Sequence, residues 1–161
     1  MSKAQGLLAA LVLGGSIAAL AVPEVMSAGE LTGYARTIDG DTLELAGRRI
    51  RLWGMDAPEH DQTCGSFACG EAATAAIRRM TAHDAVTCNP RDRDRYGRIV
   101  ALCHTVDGDL GRRMVALGLA VDYRHYSHGF YRDEEAAAQQ ERLGMWATSF
   151  TMPADWRRAR R

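Results

Sequence analysis

The chain has 161 residues, with 20 Lys plus Arg balanced by 20 Asp plus Glu, and is 47% hydrophobic and 25% charged. That is an ordinary globular composition with about one domain's worth of sequence beyond the first thirty residues. Zero net charge argues against a bulk nucleic-acid coat and leaves room for a local cationic site. Lys3 is the only lysine, so every later cation is an arginine, whose planar, permanently charged fork suits phosphate.

The chain opens with Lys3 and the free amino terminus, then an uncharged apolar run over 6–22, then Pro23 and the small residues Ser27, Ala28 and Gly29. This is the three-part layout of a signal peptide, expected over 1–28 and removed near Gly29. It implies export by the general secretion route, to the periplasm or outside the cell. The alternative is an uncleaved anchor facing outward, for which the run is short.

One domain is expected over 29–147, followed by a basic tail over 148–161. Residues 31–38 read as a strand leading to the turn Asp39-Gly40. Residues 42–45 read as a second strand, Ala46-Gly47 as a turn, and 49–53 as a third strand. An alanine-rich helix is expected over 70–83, with Ile77 and Met80 one turn apart. Strands 85–89 and 98–105 follow, joined by a charged loop over 91–97. Residues 110–118 read as a helix with Leu110, Met114 and Leu117 on one stripe. A third helix spans 133–143, with Gly144 as its stop. Strands, helix, strands, helix, helix suit a small closed barrel packed with helices, an OB-type α+β arrangement. Residues 156–161 read as a disordered tail.

Cys64, Cys69, Cys88 and Cys103 all follow the export segment. An even number in an exported chain points to two disulfides, and four cysteines allow three pairings. A zinc site is the alternative, but no close histidine pattern accompanies them. Cys64–Cys69 would close a short loop. Cys88–Cys103 would join the two strands that flank the charged loop, expected to be antiparallel neighbours.

Two clusters carry chemistry: Asp39-Gly40-Asp41-Thr42 with Arg51 and Asp56-Ala57-Pro58-Glu59, and Asp94-Arg95-Tyr96-Gly97-Arg98. Each alone is an ordinary turn or loop signal. Together they supply oxygen ligands for a hard cation at Asp41 and Asp56, phosphate-binding guanidiniums at Arg51 and Arg98, and a carboxylate at Glu59 to orient or deprotonate water. Those are the parts a phosphodiester hydrolase needs.

On these residues the chain resembles the staphylococcal nuclease family. The matching stretches run in order: Ile38-Asp39-Gly40-Asp41-Thr42, Arg51 through Glu59, Gly70-Glu71-Ala72, Asp94-Arg95-Tyr96-Gly97-Arg98, Met114 through Ala120, and Leu143-Gly144-Met145-Trp146. The resemblance implies a five-stranded OB-type barrel with three helices. It also implies calcium-dependent cleavage of DNA and RNA that leaves 3′-phosphate ends. It assigns calcium to Asp41, Asp56 and the backbone carbonyl of Ala57, which replaces the family's common threonine. Arg51 and Arg98 take phosphate and Glu59 the base or water-orienting role. Arg95, Tyr96 and Tyr123 fall to substrate contact; Arg95 stands where a lysine is common. Tyr126 lies in a segment that departs from the pattern, and the insert spanning Cys64 and Cys69 lies where it could alter substrate entry.

The expected protein is thus an exported, monomeric, calcium-dependent nuclease acting on DNA or RNA without an obligate protein partner. Its rivals are a non-catalytic binding barrel and a nuclease fold recruited to an exported polysaccharide pathway.

Overall fold

The computed structural model describes residues 29–160; the expected signal peptide lies outside them. Strands β1 (Leu31–Gly33), β2 (Ala35–Thr37), β3 (Thr42–Leu45), β4 (Arg48–Leu52), β6 (Val86–Arg93) and β7 (Ile99–Thr105) form one sheet in the order β1-β6-β7-β4-β3-β2, with the short β8 (Gly108–Asp109) on β7. The pairings are antiparallel except β4 with β7.

The two edge strands of that order, β1 and β2, are separated in the chain by Tyr34 alone. One residue spans only about 3.5 Å, so the sheet has to curl until its edges meet, and β1 lies against β3. Counted as one bent strand, β1–β2 together with β3, β4, β6 and β7 make the five strands of an OB-type barrel. Alternation sets what fills it. Leu43 and Leu45 on β3, Ile50 and Leu52 on β4, Val86 on β6, and Ile99 and Ala101 on β7 are all buried. Truncating one of the leucines to alanine costs roughly 2–5 kcal/mol.

Helix α1 (Cys69–Met80) buries Ala73, Ala76, Ile77 and Met80, a stripe at helical spacing. Helix α2 (Leu110–Ala116) is N-capped by Asp109, whose side chain accepts from the Arg112 amide at 3.1 Å, and it buries Leu110, Met114 and Val115. Leu117 falls past its end and is 46% exposed, so it is not part of the expected stripe. A short α3 (Arg124–Ser127) precedes α4 (Arg132–Gln140), and α5 (Pro153–Ala159) closes the chain.

Among the described residues there are therefore five α-helices where three were expected. The segment expected to be a disordered tail is helical through Ala159. The expected loop over 91–97 is also shorter than read. β6 runs on to Arg93 across a bulge between Pro90 and Asp92, leaving a tight Asp94–Gly97 turn closed by the Gly97 amide on the Asp94 carbonyl at 2.9 Å.

Both expected disulfides are present, Cys64–Cys69 and Cys88–Cys103. Cys88 and Cys103 stand directly opposite in the β6–β7 register. Cys64 and Cys69 belong to a small second core with Val121 and Met145, edged by Phe67, Trp146 and Phe150. Trp53 packs at the core's edge, against Phe130 and Tyr131 with ring centroids 5.4 and 6.4 Å away.

Candidate active site

The turn before β3 sets the first carboxylate. The Asp41 amide donates to Asp39 Oδ1 at 3.0 Å, a self-capped Asx turn. Gly40 is needed there because a Cβ would lie 2.9 Å from the Cβ atoms of both Ala57 and Ala73. The turn is thereby pressed onto α1 and onto the Asp56–Ala57 segment. Asp56 sits on β5 (Met55–Asp56), which pairs with β9 (Val121–Asp122), Asp56 facing Val121. The Tyr123 amide donates to the Gly54 carbonyl at 2.9 Å, tying the aromatic segment to the same place.

Arg51 lies on β4, opposite Thr42 on β3. Its two terminal nitrogens reach Asp41 Oδ2 at 2.6 Å and Asp56 Oδ1 at 2.7 Å. The Arg51 side chain is 15% exposed, that of Asp41 8% and that of Asp56 1%. Burial opposes the Arg51 charge, but the two carboxylates outweigh it and hold Arg51 above its ordinary value. Burial also pushes Asp56 up, with the Arg157 hydrogen bond and the Arg51 charge pulling the other way.

Thr42 carries the network onward. Its hydroxyl donates to Asp41 Oδ1 at 2.9 Å and accepts from Arg98 at 3.2 Å. Arg98 follows the β6–β7 turn, where its Nε donates to Asp94 Oδ2 at 2.7 Å and its amide to Asp94 Oδ1 at 3.0 Å. Burial would raise the Asp94 carboxyl, yet these bonds hold it below the usual value. The guanidiniums of Arg95 and Arg98 lie 4.9 and 5.7 Å from the Tyr96 ring centroid.

Glu59 sits on the loop before α1. The Gln62 amide donates to its carbonyl at 2.9 Å, and that carbonyl lies against Gly70 at the start of α1. Gln62 is 1% exposed. Its Oε1 accepts from the Glu59 amide at 3.4 Å, and its Nε2 donates to the Thr151 carbonyl at 2.7 Å.

One cleft of about 680 Å³ brings these pieces together. Asp41, Arg51, Ala57, Glu59, Arg95, Tyr96, Arg98 and Tyr123 line it, and Asp56 lies buried directly behind Arg51. Tyr126 lines it too, edge-on to Tyr123 with centroids 5.0 Å apart. The four cysteines stand outside the lining. The Cys64–Cys69 insert faces the C-terminal segment: the Thr148 hydroxyl donates to the Cys64 carbonyl at 3.0 Å.

Arg157, on α5, was missed from the sequence. One of its nitrogens lies 2.8 Å from both Asp56 oxygens, and the other lies 3.1 Å from Glu59 Oε1. Burial opposes its charge, and the Asp56 hydrogen bonds overcome that and raise it above its ordinary value. Asp39 was seen only as a turn residue. Burial and the neighbouring Asp41 charge push its carboxyl up to about 6. Its place in Asp39-Gly40-Asp41 was a legible signal; Arg157 had none nearby in the chain.

The donor set fits a hard cation. Asp41 and Asp56 are close enough to share one guanidinium, Ala57 lines the same cleft, and Asp39 adds a third carboxylate within hydrogen-bond reach of the Asp41 amide. Asp56 now accepts from both Arg51 and Arg157.

A family model described as Staphylococcal nuclease homologue matches residues 49–148. This chain belongs to the staphylococcal nuclease family. The match takes in β4 from Arg49 on, the Asp56–Glu59 segment, the Asp94–Arg98 turn, Tyr123 and all four cysteines of this nuclease homologue; Asp41 precedes it and Arg157 lies beyond it. Among relatives, the succinoglycan biosynthesis protein ExoI of Rhizobium meliloti is 37% identical over 142 residues, covering 83% of this chain and 74% of its own. A micrococcal nuclease of Shigella flexneri is 32% identical over 141 residues, covering 77% and 78%. An uncharacterized endonuclease of Escherichia coli is 32% identical over 124 residues, covering 73% and 78%.

Proposed function

We propose that this staphylococcal nuclease homologue is an exported, calcium-dependent endonuclease that hydrolyses phosphodiester bonds of DNA or RNA to 3′-phosphate ends. The observation that carries the reading is the convergence of Arg51 and Arg98, through Thr42 and Asp41, on one cleft that also holds Glu59. The cationic lining suits a phosphate chain, and Tyr96, Tyr123 and Tyr126 offer ring faces for bases. The two disulfides suit an oxidising compartment and so favour export.

In this reading Arg51 and Arg98 hold the nonbridging phosphate oxygens and stabilise the charge that builds on them during attack. Glu59 orients the attacking water and takes its proton. Water oxygen bonds to phosphorus, the bond from phosphorus to the 5′ oxygen breaks, and that oxygen leaves as a hydroxyl by taking a proton from solvent, to which Glu59 later returns the proton it took. The phosphate stays on the 3′ side. Asp41, Asp56 and the Ala57 carbonyl would hold calcium, which supplies Lewis-acid stabilisation of the phosphate when bound.

The test is cleavage of single-stranded DNA and of RNA by the purified mature protein in calcium, in magnesium and in chelator. Calcium-dependent cleavage is expected, with magnesium a poor substitute because it demands a tighter octahedron and holds its waters. Full activity in chelator overturns the metal assignment, and no cleavage under any condition overturns the nuclease reading.

A second reading, recruitment to exported polysaccharide assembly, draws on the relative named for succinoglycan biosynthesis. It predicts a polysaccharide defect on gene deletion that an Arg98→Ala variant still complements.

A further inference from the structure

Helix α5 returns Arg157 to carboxylates 98 and 101 positions earlier in the chain. The helix is docked by contacts independent of the ion pairs. Gln62 holds the Thr151 carbonyl, Thr148 holds the Cys64 carbonyl, and Pro153 is buried at the first turn. Arg157 is therefore delivered to Asp56 and Glu59 by a built arm, not by chance contact of a solvated side chain.

Asp56 is 1% exposed, so its lone pairs are shared among protein donors. Arg51 and Arg157 both donate to its Oδ1, and Arg157 also reaches its Oδ2. A divalent ion held by Asp56 draws on the same oxygens and repels the guanidinium at close range in a poorly solvated site. Arg51 is 15% exposed and its second partner, Asp41, is buried; Arg157 lines the cleft with its side chain 26% exposed, and its second partner, Glu59, is 40% exposed, so of the two guanidiniums it is the one with solvent to withdraw into.

We propose that Arg157 is an internal counter-cation of the site. It competes with calcium for Asp56 and is displaced from Asp56 and Glu59 when the ion binds, so the C-terminal arm sets the calcium concentration at which the site loads. This rests on the reading of Asp56 as a calcium ligand.

The test is calorimetric titration of calcium into the chelator-stripped mature protein, with Arg157→Ala and Arg157→Gln as variants and Arg158→Ala, on the exposed side of α5, as control. Unchanged circular dichroism checks the fold. Both Arg157 variants should bind calcium about tenfold more tightly, the scale of one competing partly buried ion pair removed, while the control keeps the original affinity. Hydrogen exchange supplies a second readout: saturating calcium should speed exchange of the α5 amides in the unmutated protein. Equal or weaker binding in both Arg157 variants overturns the competition while leaving the nuclease reading intact if calcium still drives cleavage. A protein that binds no calcium in any form overturns both.

Discussion

The backbone carbonyl of Glu59 occupies the space that a side chain on Gly70 would need: a Cβ there would lie 1.8 Å from that oxygen. Helix α1 is thus the seat of the proposed base. Gly70→Ala has to push the Glu59 loop off α1. We expect a loss of about 1–3 kcal/mol in stability, the scale of overpacking, and a fall in turnover of roughly a hundredfold, the scale of a 1 Å misplacement of a reacting group. Urea melts and initial rates check both; an unchanged rate removes Glu59 from the chemistry.

Arg51 and Arg98 should separate in stability though not in rate. Either change to alanine should lower turnover by roughly a hundredfold or more. Arg51 bridges two buried carboxylates, so Arg51→Ala takes the guanidinium from Asp41 and leaves Asp56 to Arg157 alone, and should destabilise the chelator-treated protein by about 3 kcal/mol. The side chains of the Arg51–Asp41 pair are only 15% and 8% exposed, so this pair is shielded from solvent. Arg98 pairs with Asp94 in a part-buried contact, with side chains 23% and 17% exposed, and Asp94 keeps its backbone donors, so Arg98→Ala should cost less, about 1–2 kcal/mol. Glu59→Gln should lose turnover and keep calcium binding. Equal melting midpoints for the two arginine variants contradict this account.

Asp94 predicts a pH dependence. Its carboxyl is held below the ordinary 3.8 in the folded protein, so its contribution is present above that value and is lost as pH falls through the folded pKa. The stability gap between the unmutated protein and Asp94→Asn should stay constant from about pH 5 to about pH 8, and should narrow as pH falls below 3.8. A gap that persists in acid means that Asp94 acts through its shape and not its charge.

The two disulfides should differ in what they hold. Cys88–Cys103 spans 15 residues across the β6–β7 hairpin, and replacing both cysteines by serine should cost about 3 kcal/mol in the chain-entropy model. Cys64–Cys69 spans 5 residues and should cost less globally. Its loss should loosen the second core, so limited proteolysis should then cut first between 148 and 159. Early cutting within the barrel would contradict this.

Legible in the residues alone were the strand alternation, the turns at Asp39-Gly40 and Ala46-Gly47, the α1 stripe, the disulfide partners and eight cleft-lining residues, Asp41 and Arg98 among them. Each of these is written in residues a few positions apart, or in ordered motifs that a family shares. Local propensity and side-chain period are short-range, so they survive without the fold. The four-residue α3 is too short to show a period. The extension of β6 to Arg93 needed its partner strand, because charged residues at 91–93 look like loop until β7 pairs with them. Arg157 needed the whole molecule. An arginine-rich end has too little apolar surface to fold alone, and it orders here because Gln62, Thr148 and the second core around Cys64 and Cys69 receive it. Only that docking, about a hundred residues away in the chain, decided that a cation from the tail would stand between Asp56 and Glu59.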